Sequence, residues 1–305
     1  MSISPIIFSV PSDSKSLTTA MAQNFRDRLS EQLPIDVRYK DHGGLKQGQE
    51  LQALQDGQIG FATLSFPDLG SPFDVFHRPY LIENYDHFIS VTKSEFWKVF
   101  CQKVSDTLGI TILSAIYIGN RQMASNELIR SPEDLKNKIF RVPPGKAWEN
   151  LPKAFQATHS AIGIGDAVEA LKKNQVHVVE NPLPGMKVYH IAEAVKHISL
   201  TNHFVDVLLV AQSNKLEISS QLKKTVKTAA IAAQVWHDPL RISEQRRLQD
   251  VFAKKIYSYT PNEMNSFKRV IEDHYRTLPF TSEQEDWIEQ IKGLKPWAIP
   301  LEHFL

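Results

Sequence analysis

The chain has 305 residues, of which 42% are hydrophobic and 23% are charged. This composition is typical of a soluble globular protein. Its 35 lysines and arginines nearly balance its 34 acidic residues, so no overall charge directs it to nucleic acid or to a membrane surface. Its one cysteine, Cys101, excludes an internal disulfide and argues against a cysteine metal site.

Strand and helix patterns alternate through the first half of the chain. Short apolar or alternating runs predict strands, and apolar residues spaced three and four apart predict helices between them. The predicted strands cover residues 6–10, 35–40, 59–65 and 109–119. The predicted helices cover residues 14–33, 44–57 and 88–108. No apolar run reaches the roughly 18–20 residues of a membrane span.

The second half continues the alternation. A serine, a proline and two acids at 131–134 predict a helix start. Strands are predicted over 138–142, 176–180, 197–200, 204–212 and 256–260, and helices over 145–157, 164–174, 219–255, 261–276 and 282–294. Pro239 should kink or divide the longest of these helices. Repeated strand–helix units predict an α/β fold with mixed, mostly parallel sheets.

Chemical motifs are scarce. The chain has no P-loop, no GxSxG nucleophile motif and no HExxH zinc motif. Two arginines twenty residues apart, Arg121 and Arg141, are the exception, because a guanidinium beside apolar residues needs a partner. Each could form a salt bridge with a neighbouring acid. Asn181 follows a strand, where ligands bind in open α/β sheets, or it could simply form the turn before Pro182.

The order of several motifs resembles one family. RQxxxN at 121–126, PEDLK at 132–136, KIxRVP at 138–143, ENP at 180–182 and LTNH at 200–203 carry the likeness. Further agreement lies in GGLKQGQELQALQDGQIGFATLS and in RPYLI at 78–82. Together these motifs resemble the solute-binding receptors of tripartite ATP-independent periplasmic (TRAP) transporters.

The resemblance implies a two-lobed fold like that of periplasmic binding proteins, with the ligand cleft at the hinge and a long helix spanning both lobes. Lobe one would hold residues 1–121 and 206–252, and lobe two would hold 122–205 and 253–305. In such receptors the arginine matching Arg141 forms a two-bonded pair with a ligand carboxylate. The residues matching Arg121 and Asn181 bind the ligand on the same side.

Further ligand contacts are expected from other parts of the chain. Ile164 stands where the family often has an aromatic residue, which bears on the shape of the pocket. Lobe-one loops at Val10–Ser14 and Ser65–Gly70 should face the ligand, which places Ser65 and Phe66 among the contacts. Asn202, in the LTNH motif, completes the expected set.

The resemblance implies binding of a small organic or sugar acid outside the cytoplasm and its delivery to the membrane permease of a TRAP transporter. It implies no cofactor, no metal, no nucleic acid, no direct membrane insertion and no catalysis, and we expect a monomer. The predicted first strand lies so near Met1 that we expect a leader to have been removed from a periplasmic protein. The alternatives are a cytoplasmic sensor module and an enzyme built on the same fold.

Overall fold

Two β-sheets share one long strand in the computed structural model, which describes residues 5–39, 45 and 48–296. The strands are β1 (Ile6–Val10), β2 (Ile35–Tyr39), β3 (Phe61–Leu64), β4 (Ile110–Ser125), β5 (Ile139–Val142), β6 (Thr158–Ala161), β7 (Val178–Pro182), β8 (His197–Ser199), β9 (Val205–Ser213) and β10 (Ile256–Tyr257). The first sheet has the order β2-β1-β3-β9-β4, and the second has the order β4-β7-β5-β6. In the second sheet β8 also pairs with β4, and β10 pairs with β8.

The shared strand β4 changes sheets part way along its length. Residues 110–120 pair with β9 in the first sheet, and residues 121–125 pair with β7 and β8 in the second. The strands β1, β2 and β3 pair in parallel, as do β5, β6 and β7, whereas β9 and β4 introduce antiparallel pairs. Arg121 is therefore the first residue of β4 that belongs to the second sheet.

Helices cover the faces of both sheets. They are α1 (Leu17–Leu29), α2 (Glu50–Asp56), α3 (Tyr85–Lys93), α4 (Glu95–Leu108), α5 (Asn150–Ala154), α6 (Ala167–Lys172), α7 (Leu183–Val188), α8 (Ile191–Ala194), α9 (Ser220–Val251), α10 (Pro261–Tyr275) and α11 (Ser282–Gly293). Residue 40 and most of residues 44–47, where a predicted strand ends and a predicted helix begins, lie outside the described residues. Most predicted elements have a counterpart within a few residues.

Some local features differ from the predictions. The expected helix over 88–108 is two helices, because Ser94 is extended (φ −78°, ψ 162°) and its hydroxyl accepts a bond from the Trp97 amide that caps α4. The helix start at Ser131 opens only a single 3-10 turn, since β5 begins soon afterwards. The edge strand β6 was not predicted, because its sequence, THSA, has no apolar alternation.

The helix α9 is continuous over 32 residues and runs along both sheets. Its first half packs against α1 in the core that contains Val226 and Ala230, and Leu248 near its end lies in a core of the second sheet. Pro239 lies inside the helix and does not divide it. The helix is attached to β4 where that strand changes sheets, because Asp238 accepts the Tyr117 amide (3.0 Å) and Gln245 accepts the Asn120 amide (2.8 Å).

Hydrophobic cores lie on the faces of both sheets. On one face of the first sheet, Phe66, Phe73 and Phe100 belong to an aromatic cluster that also includes Trp287 of α11. The predicted lobe boundaries would assign α11 to lobe two, whereas its apolar face packs here with the first sheet. Apart from this contact, the boundaries stay a prediction. In the part of the chain that the structure describes, no helix combines the length and apolar character needed to cross a membrane.

Candidate functional site

A cavity of about 190 Å³ lies between the two sheets. Its walls come from both of them and from α9. The residues that the argument uses are Ser12, Ser16, Thr18, Glu50, Ser65 and Asp68 on the side of the first sheet, Arg141, Trp148, Ile164, Asn181 and Tyr189 on the side of the second, and Arg121, Asp206 and Arg241 where the two meet. Parts of both predicted loops, Val10–Ser14 and Ser65–Gly70, therefore line this cavity.

Arg141 is a buried cation without an acid partner among the residues that the structure describes. It lies in β5 with 1% of its surface exposed, and its Nε donates to the carbonyl oxygen of Ile162 at 2.8 Å. Among the described residues its Nη atoms have no hydrogen-bond partner, and Nη2 is fully enclosed. Burial lowers the pKa of Arg141 to about 10, against the opposing effect of the charge on Glu180. A cation held in this way is complementary to an anion entering the cavity.

Arg121 is as deeply buried but fully paired. Its Nε and Nη2 donate to the two carboxylate oxygens of Glu180 (2.7 Å for Nη2 to Oε1), and its Nη1 donates to Asp206 at 2.6 Å. Its guanidinium carbon also lies 4.9 Å from the centre of the Trp148 ring. Burial alone would lower the pKa of Arg121, but the charges of Glu180 and Asp206 raise it. The salt-bridge alternative considered for both arginines thus describes Arg121.

Asn181 lines the cavity with an unpaired amide group. It follows Glu180 at the end of β7, and no described residue forms a hydrogen bond with its side chain. Gly185, in the first turn of α7, makes room for this amide, because a Cβ at that position would lie 2.0 Å from Asn181 Oδ1. An amide can both donate and accept, so Asn181 can bind a carboxylate or a hydroxyl group.

Two of the remaining predicted contacts line the cavity and two do not. Ile164 and Ser65 are lining residues. Phe66 instead turns into the aromatic core, where it stacks on Phe76 with ring centres 4.3 Å apart. Asn202 lies outside the lining, and its Oδ1 accepts a bond from Gln122 Nε2 at 2.7 Å.

Several lining residues were missed by the sequence analysis. Trp148 covers Arg121, Tyr189 lies near Arg141, and Arg241 reaches the cavity from α9. Arg241 is 4% exposed and donates through Nη1 to Glu244 at 2.7 Å and through Nη2 to Thr18 Oγ1 at 3.2 Å. Its Nε has no partner in the described part of the chain. Inside a helical pattern such an arginine is indistinguishable from a surface residue, so no sequence signal could have found it.

The fold has two helix-covered β-sheets, which are joined by a shared strand and a long helix and have a polar cleft between them. This is the fold of the two-lobed solute-binding proteins. A sequence profile of the bacterial extracellular solute-binding proteins of family 7 (DctP) matches residues 8–280. The chain belongs to this family.

Relatives and solved structures agree with this assignment. The C4-dicarboxylate-binding periplasmic protein DctP of Rhodobacter capsulatus is 28% identical over 174 residues, which are 55% of this chain and 52% of that protein. The alignment thus spans about half of that relative. A TRAP periplasmic solute-binding protein of Roseobacter denitrificans, solved with 3-deoxy-D-manno-oct-2-ulosonic acid, has a TM-score of 0.88 at 23% identity, over 95% of this chain and 99% of that one.

A second solved structure has the same fold. The TRAP periplasmic solute-binding protein of Haemophilus influenzae, solved with L-gulonate, has a TM-score of 0.88 at 20% identity and covers 95% of this chain and 99% of its own. At these identities the likeness establishes the fold, which is the predicted two-lobed α/β architecture.

Proposed function

We propose that this protein captures a small organic or sugar acid outside the cytoplasm and delivers it to the permease of a TRAP transporter. The observation that carries the proposal is Arg141, a buried guanidinium in the cleft whose Nη atoms have no acid partner among the described residues. A carboxylate is planar and matches a guanidinium in shape, so it can accept two parallel bonds from it. Family membership and the acids bound by the structural relatives support the same proposal.

The other cavity residues fit this role. Asn181 lines the cavity with an amide that can bind the carboxylate or an adjacent hydroxyl group, and Ile164 and Trp148 line it with apolar side chains. We propose Arg141 and Asn181 as direct ligand contacts. Arg121, whose own bonds go to Glu180 and Asp206, supports the wall of the cavity beside them. The division into lobes at residues 121, 206 and 253 remains part of the proposal.

The requirement for a carboxylate can be tested by calorimetry. Acids should first be screened by thermal shift, and the acid with the largest shift should then be compared with its own methyl ester. The ester adds one methyl group, removes the negative charge and leaves the carbonyl oxygen as its one strong acceptor, so its affinity should fall about tenfold or more. Equal affinities for the acid and its ester would contradict the proposal.

A receptor also differs from an enzyme in what it does to the ligand. The acid recovered after prolonged incubation should be unchanged by mass spectrometry. Conversion into a product would favour an enzyme built on the same fold.

A further inference from the structure

We infer that the ligand carries hydrogen-bond donors, as hydroxyl or ammonium groups, at the end that faces the first sheet, and that this end of the cavity disfavours a second carboxylate. The inference rests on the proposed function, because it concerns the same cavity. It narrows the ligand to acids with one carboxylate and separates them from the diacids.

The three arginines described in the lining of the cavity differ in whether an acid pairs with them. Among the lining residues described, three are arginines, and Arg121 is held by Asp206 at 2.6 Å while Arg241 is held by Glu244 at 2.7 Å. Of these three, only Arg141 has no acid partner among the described residues. One ligand carboxylate is therefore enough to neutralise the unpaired positive charge on this side of the cavity.

Acidic groups line the opposite side. Glu50 is 4% exposed, and its Oε2 accepts a bond from the Gly48 amide at 3.0 Å. Asp68 receives both of its hydrogen bonds, from the Ser65 amide (2.6 Å) and the Ser65 hydroxyl (2.8 Å), on Oδ2. No described residue donates to Asp68 Oδ1, which leaves an acceptor on a carboxyl group that lines the cavity.

The surroundings of Asp68 already oppose more negative charge. Burial raises the pKa of this carboxyl, and the nearby charge of Glu50 raises it further, against the two bonds from Ser65. A second carboxylate placed here would add like-charge repulsion in a site of low dielectric constant. A hydroxyl or ammonium group would instead donate to Asp68 Oδ1 without that cost.

The rest of this wall is rich in hydroxyl groups. Ser12, Ser16 and Thr18 line it, and the Ser12 hydroxyl donates to that of Ser16 at 2.7 Å. Among the described lining residues, Arg241 is the one cation bonded to this wall, but Glu244 and Thr18 already accept from its two Nη atoms. A second carboxylate would have to compete with Glu244.

The inference can be tested by calorimetry with three sets of acids. The diacids are succinate, glutarate and adipate, the hydroxy acids are threonate, gluconate and galacturonate, and the amino acids are aminobutyrate and aminocaproate. We expect the tightest hydroxy or amino acid to bind at least about tenfold more tightly than the tightest diacid. Which of the two donor-bearing sets binds better identifies the donor as hydroxyl or ammonium.

The other outcomes of this calorimetry contradict either the present inference or the proposed function. Tightest binding by a diacid would overturn this inference and leave the proposed function standing. If Arg241→Gln then removed that binding, Arg241 rather than Asp68 would be the residue that selects the group at the second end of the ligand, by binding the second carboxylate of the diacid. No binding by any of the acids would contradict the proposed function itself.

A variant tests the role of Asp68. Asp68→Asn keeps an acceptor for Ser65 but removes the negative charge, so the preference for donor-bearing acids over diacids should shrink about tenfold. Asp74→Asn is the matched control, because Asp74 is a partly buried acid of the same region that does not line the cavity. It should leave the preference unchanged. An unchanged preference in Asp68→Asn would overturn the inference.

Discussion

The guanidinium of Arg121 and the carboxylate of Glu180 are joined by two hydrogen bonds between the adjacent strands β4 and β7. Both carboxylate oxygens of Glu180 are used in this pair. Arg141 lies on β5, at the other side of β7, and receives no carboxylate oxygen from it. The pairing of Arg121 thus leaves Arg141, which lines the cavity, without an acid partner among the described residues.

Replacing Arg121 should destabilise the protein without ligand. Arg121→Ala leaves Glu180, which is 1% exposed, and Asp206 without their cation, and breaking a buried pair costs about 3–5 kcal/mol. Urea unfolding of the ligand-free protein measures this loss. Arg276→Ala is the control, since this arginine is exposed, and it should cost less than about 1 kcal/mol. Similar losses in both variants would show that the buried network does not stabilise the fold.

The order of the fold's elements follows from the sequence, but the path of β4 between the sheets does not. The apolar run at 109–119 predicts the first part of this strand, and its polar continuation, NRQMAS, has no pattern that indicates a strand. Those residues are held by their partners β7 and β8, which lie far away in sequence. The joining of the two sheets is therefore a tertiary effect.

The site could be predicted only in part, for the same reason. Spacing alone could not separate a ligand-binding arginine from a salt-bridged one, because Glu180 is 59 residues from Arg121 and meets it only through strand pairing. The family resemblance singled out Arg141, Asn181 and Ile164, and the expected lobe-one loops added Ser65; all four line the cavity. The same loops suggested Phe66, which a short 3-10 turn directs into the core.

The position of the Asn181 amide should depend on Gly185. In Gly185→Ala the new Cβ would lie 2.0 Å from Oδ1 and 2.9 Å from Cγ, so the amide must move. Losing a hydrogen bond to a charged ligand costs about 1.5–3 kcal/mol, so affinity for the tightest acid of the panel should fall roughly ten- to a hundredfold. Calorimetry measures the change, and Asn181→Ala should give a similar loss.

Gly165→Ala is the matched control for this variant. Gly165 follows the lining residue Ile164, and a Cβ there meets no atom within 4 Å. Its affinity should equal that of the wild type. Unchanged affinity in Gly185→Ala and Asn181→Ala would remove Asn181 from the proposed contacts.

The stability of the protein should fall in mild acid, in part because of His77. This ring lies between Trp148 and Phe204, with ring centres at 4.0 and 4.2 Å. Burial, together with the charge of Arg121, lowers its pKa from 6.5 to about 3. Between these pH values only the unfolded chain takes up the proton on His77. The contribution of the neutral ring to the free energy of unfolding is therefore complete above about pH 6.5 and is lost as the pH falls toward 3.

His77→Phe should reduce this pH dependence. Phenylalanine keeps a flat ring between the same neighbours but does not titrate. The loss of unfolding free energy between about pH 7 and pH 5 should be smaller than in the wild type by about 2 kcal/mol. Urea unfolding at the two pH values measures the difference. An identical loss in both proteins would mean that His77 does not contribute.

Ligand binding should bring the two lobes together. The cavity walls come from both sheets, and Tyr189 on the second side lies close to Ser12 and Asp13 on the first. A ligand that contacts both walls favours the closed arrangement, as in other hinged binding proteins. Small-angle scattering should give a smaller radius of gyration with the saturating acid. The same radius with and without it would contradict closure.

The most direct test of the central claim is Arg141→Lys, measured for both ligand affinity and the melting temperature without ligand. Lysine keeps the charge but loses the planar pair of donors, so affinity for the tightest acid should fall by about 1.5–3 kcal/mol, roughly ten- to a hundredfold. The melting temperature should not fall, because no described acid depends on Arg141. Retained affinity with a lower melting temperature would contradict the account and make Arg141 a structural residue.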